Sequence, residues 1–483
     1  MELQLSYYKR FAKDDLYRAV DEICAVLIAN GARPYFVGGC VRDALLGQPI
    51  SDFDIEVFGI SPEKIVQVLA YKFDLILQKR LIYGCESFGV FKIKGYNIDL
   101  SVPRAETKIG DKHSSFSVDL LPNSTVQEAA SRRDFTINAI YFDTQHNILC
   151  DPYGGVGDLH NKILKNVGER FVEDPLRVLR GMQFISRFEL MPADSLIELA
   201  KTLTPDELSA ERIFLEWKKL ILLGVKPSLG LRFLEKCGWL KFFPEIQALI
   251  SCDQDPYRHP EGNVLSHTCL VLDLFANDRS GDDTEDLIVG FAALCHDFGK
   301  PITTIKDDSG VHHRGHDVAG LPLVEAFLRR MRAPNWLIDG VKPLVECHML
   351  LRGENFQSAD EEQRESKLLK LANKVGRIDR LLRICTYDSH GRGGIWGDPR
   401  SSEYELPLIE WAKEVSIKFD VFCHPPVPII QGRDLLKLGL PQSPDFKSLL
   451  EQIFEAQLDL VFTDYEGGMK YARSLLQGDK SKF

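Results

Sequence analysis

The stretch Val37–Phe58, VGGCVRDALLGQPISDFDIEVF, decides how the N-terminal part of this chain folds. Gly38 and Gly39 end an apolar run (Tyr35, Phe36, Val37) and open a helix expected to run through Leu46. A glycine pair at a helix N-terminus lets a phosphate approach backbone N–H groups and the positive end of the helix dipole. Asp52 and Asp54 then flank Phe53 at the start of a second apolar run. Carboxylates at i and i+2 of a strand point to one face, where they can share a divalent metal. Together these features suggest metal-assisted chemistry on a nucleoside triphosphate.

On either side of this stretch, residues 31–150 alternate short β-rich runs with helices: RPYFVGG, DFDIEVF, SFGVFKIKG, YNIDLSV and TINAIYFD. The pattern predicts an α/β or α+β unit built on one sheet. A lone D-x-D carries little weight, and Asp253–Gln254–Asp255 is a second instance. The glycine pair and a later strand carboxylate, Asp99, single out Asp52 and Asp54. Three carboxylates on adjacent strands can hold two Mg²⁺ ions, one activating a terminal 3′-hydroxyl and one steadying the departing pyrophosphate. Arg42 would face the triphosphate, or else pair with Asp43 at the surface. Residues 1–30 read as an amphipathic helix through Leu16, Val20, Ile23 and Leu27, and the polar stretch 104–125 as a mobile loop.

The chain has 483 residues, enough for three or four domains with sizeable cores. It shows no apolar leader and no run of membrane-spanning length. Its 11 cysteines are scattered without a C-x-x-C pair, which fits free thiols in a reducing cytosol, so a cytoplasmic protein is expected. A net charge of −11 argues mildly against nucleic acid as a partner, but binding needs only a local basic face. Lys162, Lys165, Arg170, Arg177, Arg180 and Arg187 supply a candidate.

The pattern turns helical from Asp158 to about 250, and SCDQDPYRHPEG (251–262) reads as a linker. Histidine-rich helices follow to about 395, then a helical tail over 396–483. In EDPLR, Asp174 before Pro175 suits a helix N-cap, and Arg177 lies three residues on, on one helical face. Among the 12 histidines, His267, His296 and His-adjacent Asp297 join Asp388 in an H…HD…D pattern suited to a divalent metal. His316 and His348 can extend it to a second metal, and Lys300 can contact a substrate phosphate or lie at the surface.

VGGCVRDALLG…SDFDIEV resembles the signature of the DNA polymerase β-type nucleotidyltransferases, in the bacterial tRNA nucleotidyltransferase (CCA-adding) and poly(A) polymerase branch. SRRDFTINAIYFD (131–143), DPYGGVGDL (151–159), EDPLRVLRGMQFISRF (173–188) and ERIFLEWKKLI (211–221) follow in that family's order. HPEGNVLSHT and CHDFGKP resemble the HD phosphohydrolase superfamily, as fused to some bacterial tRNA nucleotidyltransferases. The resemblance implies a multidomain chain: an α/β (α+β) catalytic head (1–157), an all-α neck and body that select nucleotide and bind RNA (158–250), an all-α HD domain (251–395) and a helical tail (396–483). It implies Mg²⁺ at Asp52 and Asp54, with Asp99 as a further catalytic carboxylate, and a second divalent metal at the HD site.

It further implies that Gly38, Gly39, Arg42, Arg132, Arg133, Asp134, Asn138 and Arg180 contact the nucleotide's triphosphate or sugar, with Gln183 standing where many relatives carry arginine. To Asp174 and Arg177, supported by Glu173, it gives the reading of the base. That role has a physical basis: a carboxylate accepts from the amine of cytosine or adenine while a guanidinium donates to the adjacent ring nitrogen. Guanine and uracil invert that polarity. A loop around Lys108–Ser117 favours full CCA addition over CC addition. The expected partners are tRNA, CTP and ATP, with no membrane and no obligate protein partner. The alternatives are an A-adding enzyme or poly(A) polymerase, and, in another class, a metal phosphohydrolase whose N-terminal unit only binds RNA or nucleotide. The C-terminal PIIQGRDLLKLGLPQSPDF resembles the tails of such fusions, departing from a glycine turn at Pro441–Gln442–Ser443–Pro444.

Overall fold

Phe53, Ile55 and Val57 alternate with Asp54 and Glu56, and a strand turns such an alternation into two chemically distinct faces. A computed structural model of the chain describes residues 4–69, 81–84, 90–93, 95–108, 116–308, 310–352, 356, 358–392, 405–440 and 445–478. The N-terminal sheet has the order β3-β4-β5-β2-β1-β8-β9. Its strands are β1 (Arg33–Val37), β2 (Phe53–Phe58), β3 (Leu81–Gly84), β4 (Val90–Ile93), β5 (Ile98–Ser101), β8 (Tyr141–Asp143) and β9 (Ile148–Cys150). Among the described residues of this sheet only β2 and β5 run parallel, in a register that sets Asp54 beside Asp99 and Glu56 beside Ser101.

One face of the sheet carries Phe36, Phe53, Ile55, Val57, Ile98 and Leu100 into a buried cluster with Leu16, Val20, Ile23 and Leu27 of helix α2 (Asp14–Ala29). Each such side chain contributes about 1.5–3 kcal/mol by leaving water. The other face carries the row Tyr141, Val37, Asp54, Asp99, Lys92 and, two residues along, the row Tyr35, Glu56, Ser101, Val90. A one-residue slip of β2 would drive Asp54 and Glu56 into the apolar cluster, so the core itself holds the register of the polar face.

Three local expectations are corrected. Residues 1–30 form not one helix but α1 (Leu5–Tyr8) and α2, with Ala12 between them bridged to Ile50. The stretch 104–125 is not simply a loop: β6 (Arg104–Lys108) pairs antiparallel with β7 (Phe116–Leu120), and its centre, 109–115, lies outside the described residues. TINAIYFD begins with a 3₁₀ turn, Thr136–Asn138, and only Tyr141–Asp143 is strand. There the Asn138 side-chain amide donates to Asp134 and the Thr136 N–H to the Lys165 carbonyl, a local pairing that displaces the ladder. Pro441–Pro444 lie outside the described residues.

The chain forms two compact units, Met1–Ser209 with Arg232–Trp239, and Ala210–Leu231 with Leu240–Phe483. The four segments expected from sequence are finer than this, and residues 158–250 contribute to both units. The second unit is almost wholly helical, and its C-terminal helices Gly432–Lys437, Asp445–Leu458 and Tyr465–Gly478 bury Ile430, Leu435, Ile453, Phe462 and Ala472. Within the expected linker 251–262, Cys252 and Gln254 are buried and Gln254 donates to the Gly262 carbonyl, while Asn263 just beyond it donates to the Ile250 carbonyl. Ser251, Asp253, Tyr257 and Arg258 of the same segment stay exposed to water. The ten described cysteines are free thiols, and no described helix is long and apolar enough to cross a membrane.

Candidate nucleotide and metal sites

Gly38 precedes α3 (Gly39–Leu45) at φ +72°, a conformation that L side chains rarely adopt. A Cβ there would lie 3.2 Å from both an Arg133 guanidinium nitrogen and Asp54 Oδ2. The glycine therefore keeps open a small cradle bounded by one cation and one carboxylate. Burial pushes the Asp54 carboxyl above its ordinary range, Arg133 draws it back, and the like charges of Asp52 and Asp99 push it up again. Such a donor set fits a divalent cation, which would replace mutual repulsion with attraction. The three carboxylates do not converge to ligand spacing by themselves: Lys92 holds Asp99 at 3.0 Å, and Asp52 accepts from the Ser51 hydroxyl at 2.6 Å.

Beside this centre lies a cavity of about 370 Å³ lined by Glu56, Val90, Ser101, Arg104, Arg132, Arg133, Glu173, Asp174 and Arg177, among others. The structure thus brings Asp174 and Arg177 to the arginines of RRDF. Asp174 accepts from the Leu176 N–H at 3.1 Å, and the helix begins one residue later than expected, at Leu176. Arg177 donates to the Arg170 carbonyl at 2.6 Å and the Arg132 carbonyl at 2.7 Å, so its fork is held rigidly. Arg132 in turn donates to the Arg104 carbonyl. Arg133 lies over the Tyr141 ring and 3.7 Å from Glu56, whose carboxylate accepts from the Tyr141 hydroxyl at 2.5 Å.

Arg42, Asn138, Asp134 and Arg180 have other surroundings. Arg42 is 4% exposed and packs over the Phe184 and Phe188 rings, so its pair with Asp43 is not at the surface. It donates to Asn138 Oδ1 at 2.6 Å, Asn138 donates to Asp134, and Arg180 Nε donates to Asp134 Oδ2 at 2.7 Å. This buried chain ties α3 and the 3₁₀ turn to the helix Leu176–Phe188. Burial pushes the Asp134 carboxyl upward, but Arg180 and the Asn138 amide outweigh it and hold the group below its ordinary value. Gln183 is buried, and its Oε1 has no hydrogen-bond partner.

In the second unit the histidines converge. His267, His296 and Asp388 form one buried three-ligand group, and Asp297, His316 and His348 another. Asp297 lies between them, Oδ2 3.2 Å from His296 Nε2 and Oδ1 3.4 Å from His316 Nε2. Helix ends do the placing: His296 caps Asp283–Cys295, and His348 caps Asn335–Cys347. Gly299 and Gly320 allow close backbone approach, since a Cβ on Gly299 would lie 1.9 Å from the His316 carbonyl.

Each imidazole's Nδ1 faces a carbonyl: Ala293 for His296, His313 for His316, Val345 for His348 and Gly391 for His267. A carbonyl only accepts, so each Nδ1 donates outward and each Nε2 is the ring atom turned to the centre. His296 Nε2 is buried with no hydrogen bond. Burial and the neighbouring His296 and His316 push His348 down to about 3, keeping it a neutral ligand. These residues fit a pair of divalent metals. Lys300 is buried, with Nζ 2.7 Å from Asp297 Oδ2 and 2.8 Å from Gln254 Oε1.

Sequence reasoning passed over Glu56, Arg104 and Tyr141 in the head, and His259 and Glu261 in the second unit. Glu56 was within reach, because the alternation that pairs Asp52 with Asp54 continues to it. His259 and Glu261 lie in HPEGNVLSHT, so the resemblance covered them without giving either a role.

Residues 34–165 match the poly A polymerase head domain, and residues 264–384 match the HD domain. The chain's fold is also that of three solved structures. The Bacillus stearothermophilus CCA-adding enzyme in complex with CTP is 20% identical, with 96% of this chain and 100% of that chain covered and a TM-score of 0.62. The Thermotoga maritima CCA-adding enzyme complexed with tRNA is 19% identical, with 99% and 100% covered and a TM-score of 0.60. A CCA-adding enzyme with ATP is 19% identical, with 100% of both chains covered and a TM-score of 0.62.

Proposed function

We propose that this chain, a poly A polymerase-type head joined to an HD domain, is a template-independent tRNA nucleotidyltransferase that adds C, C and A to tRNA 3′ ends from CTP and ATP. The observation that carries the reading is the position of Arg133, which touches the Gly38–Asp54 cradle and also lines the cavity holding Asp174 and Arg177. A triphosphate in the cradle would leave its base within that cavity. Asp52, Asp54 and Asp99 would hold Mg²⁺, which when bound supplies activation of the 3′-hydroxyl and charge neutralisation at the leaving pyrophosphate.

Arg133 and Arg132 bind and orient phosphate oxygens, and the N-terminus of α3 offers backbone N–H groups. Arg177, clamped by two carbonyls, presents its remaining N–H donors to N3 of cytosine or N1 of adenine, while Asp174 accepts from the exocyclic amine. The fork needs no reorganisation on binding, which limits the entropic cost of selection. The Arg42–Asn138–Asp134–Arg180 chain positions rather than contacts, holding α3 in register with the base-reading helix. The structures of CCA-adding enzymes with CTP, ATP and tRNA support these substrates over poly(A) synthesis. Incubating a tRNA transcript that lacks CCA with each triphosphate separately tests this: CTP is incorporated first, and absence of CTP incorporation overturns it.

A second activity is favoured by the two buried ligand groups. The HD domain would act as a metal-dependent phosphatase or phosphodiesterase on phosphate ends, with Lys300 near the phosphate. When bound, the metals supply a hydroxide nucleophile at neutral pH. The Nε2 atoms of His267, His296, His316 and His348 and the carboxylates of Asp297 and Asp388 would hold them.

A further inference from the structure

Among the described residues, three candidate ligand groups lie in the HD domain, His259, Glu261 and His267 forming the part-buried one, and the two fully buried groups are not anchored alike. His296, His316 and His348 each face, through Nδ1, the carbonyl three residues back at 2.6–2.8 Å. His267 instead faces a carboxylate, Glu261 Oε1 at 2.9 Å, as well as the Gly391 carbonyl at 3.1 Å. The same Oε1 receives His259 Nδ1 at 2.7 Å. The Glu261 side chain is 3% exposed, and its Oε2 is buried with no hydrogen-bond partner.

A buried carboxylate with an unmatched oxygen is costly, and a neutral carbonyl serves the other three histidines. What the carboxylate adds is charge. Accepting the Nδ1 proton with a full negative charge makes the imidazole a stronger donor at Nε2.

Resting on the reading of this cluster as a metal site, we propose that Glu261 is a positioning residue that makes His267/His296/Asp388 the tighter of two unequal divalent-cation positions, Asp297/His316/His348 being the weaker. Glu261 touches no metal; it orients His267 and raises its donor strength. It also ties His259 to the same carboxylate oxygen as His267.

The test is calorimetric titration of metal-stripped full-length protein with Mn²⁺, in a D52A/D54A background so that the head takes up no ion. Two unequal steps are expected, the tighter removed by H267A and the weaker by H348A. E261Q keeps the size and an acceptor oxygen but removes the charge; it weakens the tighter step about 10–100-fold and leaves the weaker one in place. H259A leaves all of that charge to His267 and does not weaken the tighter step. An E261Q protein with an unchanged tighter step, or with both steps weakened equally, overturns the proposal. So does an H259A protein weakened as much as E261Q, since packing rather than charge would then hold His267. If the background protein binds no Mn²⁺ at all, the metal reading itself falls, and that outcome is distinct from the others.

Discussion

Gly299→Ala isolates the close backbone approach that brings His316 to the HD centre. The φ of Gly299 is −79°, so alanine meets no backbone strain there. On backbone entropy alone the change would stabilise the fold by about 0.4–1 kcal/mol. The contact reverses the sign. The new Cβ would lie 1.9 Å from the His316 carbonyl oxygen and 2.7 Å from the Gly320 nitrogen, where real Cβ atoms essentially never come under 3.0 Å. The two segments must part by about 1 Å, and what must give is backbone rather than a flexible side-chain end.

That displacement is about five times the ~0.2 Å latitude of metal–ligand distances. It is delivered to the residue whose Nε2 lies 3.4 Å from Asp297 Oδ1 and 3.2 Å from His348 Nε2. The expected result is a loss of about 1–3 kcal/mol of stability in the metal-free protein, as for overpacking. With it the weaker Mn²⁺ step should fall by about tenfold or more. The assays are thermal melting and Mn²⁺ calorimetry, with CTP incorporation into tRNA unchanged as the internal control. A G299A protein that melts no lower than the parent and binds Mn²⁺ alike would refute the reasoning.

Asp54→Asn and Asp52→Ala should each lower nucleotide transfer by about a thousandfold or more while sparing hydrolysis by the HD domain; transfer that persists in either variant removes the metal assignment. Arg177→Lys loses the clamped fork and should cut both CTP and ATP incorporation about 10–100-fold with little change in melting temperature, which single-turnover assays would read. Asp134 is held below its ordinary pKa in the fold, so the unfolded chain binds its proton at higher pH. Its stabilisation is complete above about pH 4 and is lost as pH falls through the folded value. Asp134→Asn should therefore cost about 1.5–3 kcal/mol at neutral pH and much less in acid, and an equal loss at both pH values in denaturant titrations would contradict the buried chain. Gly38→Ala, with both a positive φ and a 3.2 Å crowding of Arg133, should impair transfer more than it lowers stability.

Much of the head was legible because its signals are local. Glycine before a helix, i and i+2 carboxylates and apolar alternation all act within a few residues, and backbone sterics enforce them whatever the rest of the chain does. The sequence by itself determined the strand–helix–strand around Val37–Phe58, the helical remainder and which histidines to look for as a cluster. Tertiary structure alone decided what each polar residue spends its hydrogen bonds on. Arg42 and Asn138, read from sequence as nucleotide contacts, are buried and hydrogen-bonded to each other, which the sequence did not show. Residues 251–262 read as a linker because they are polar, yet Gln254 spends its amide on the Gly262 carbonyl and Glu261 turns a carboxylate oxygen to His267. The physical reason is one of range: propensity and periodicity are properties of neighbours in sequence, whereas the partner of a buried donor or acceptor is fixed by packing among residues more than a hundred positions apart, as His267 and Asp388 are.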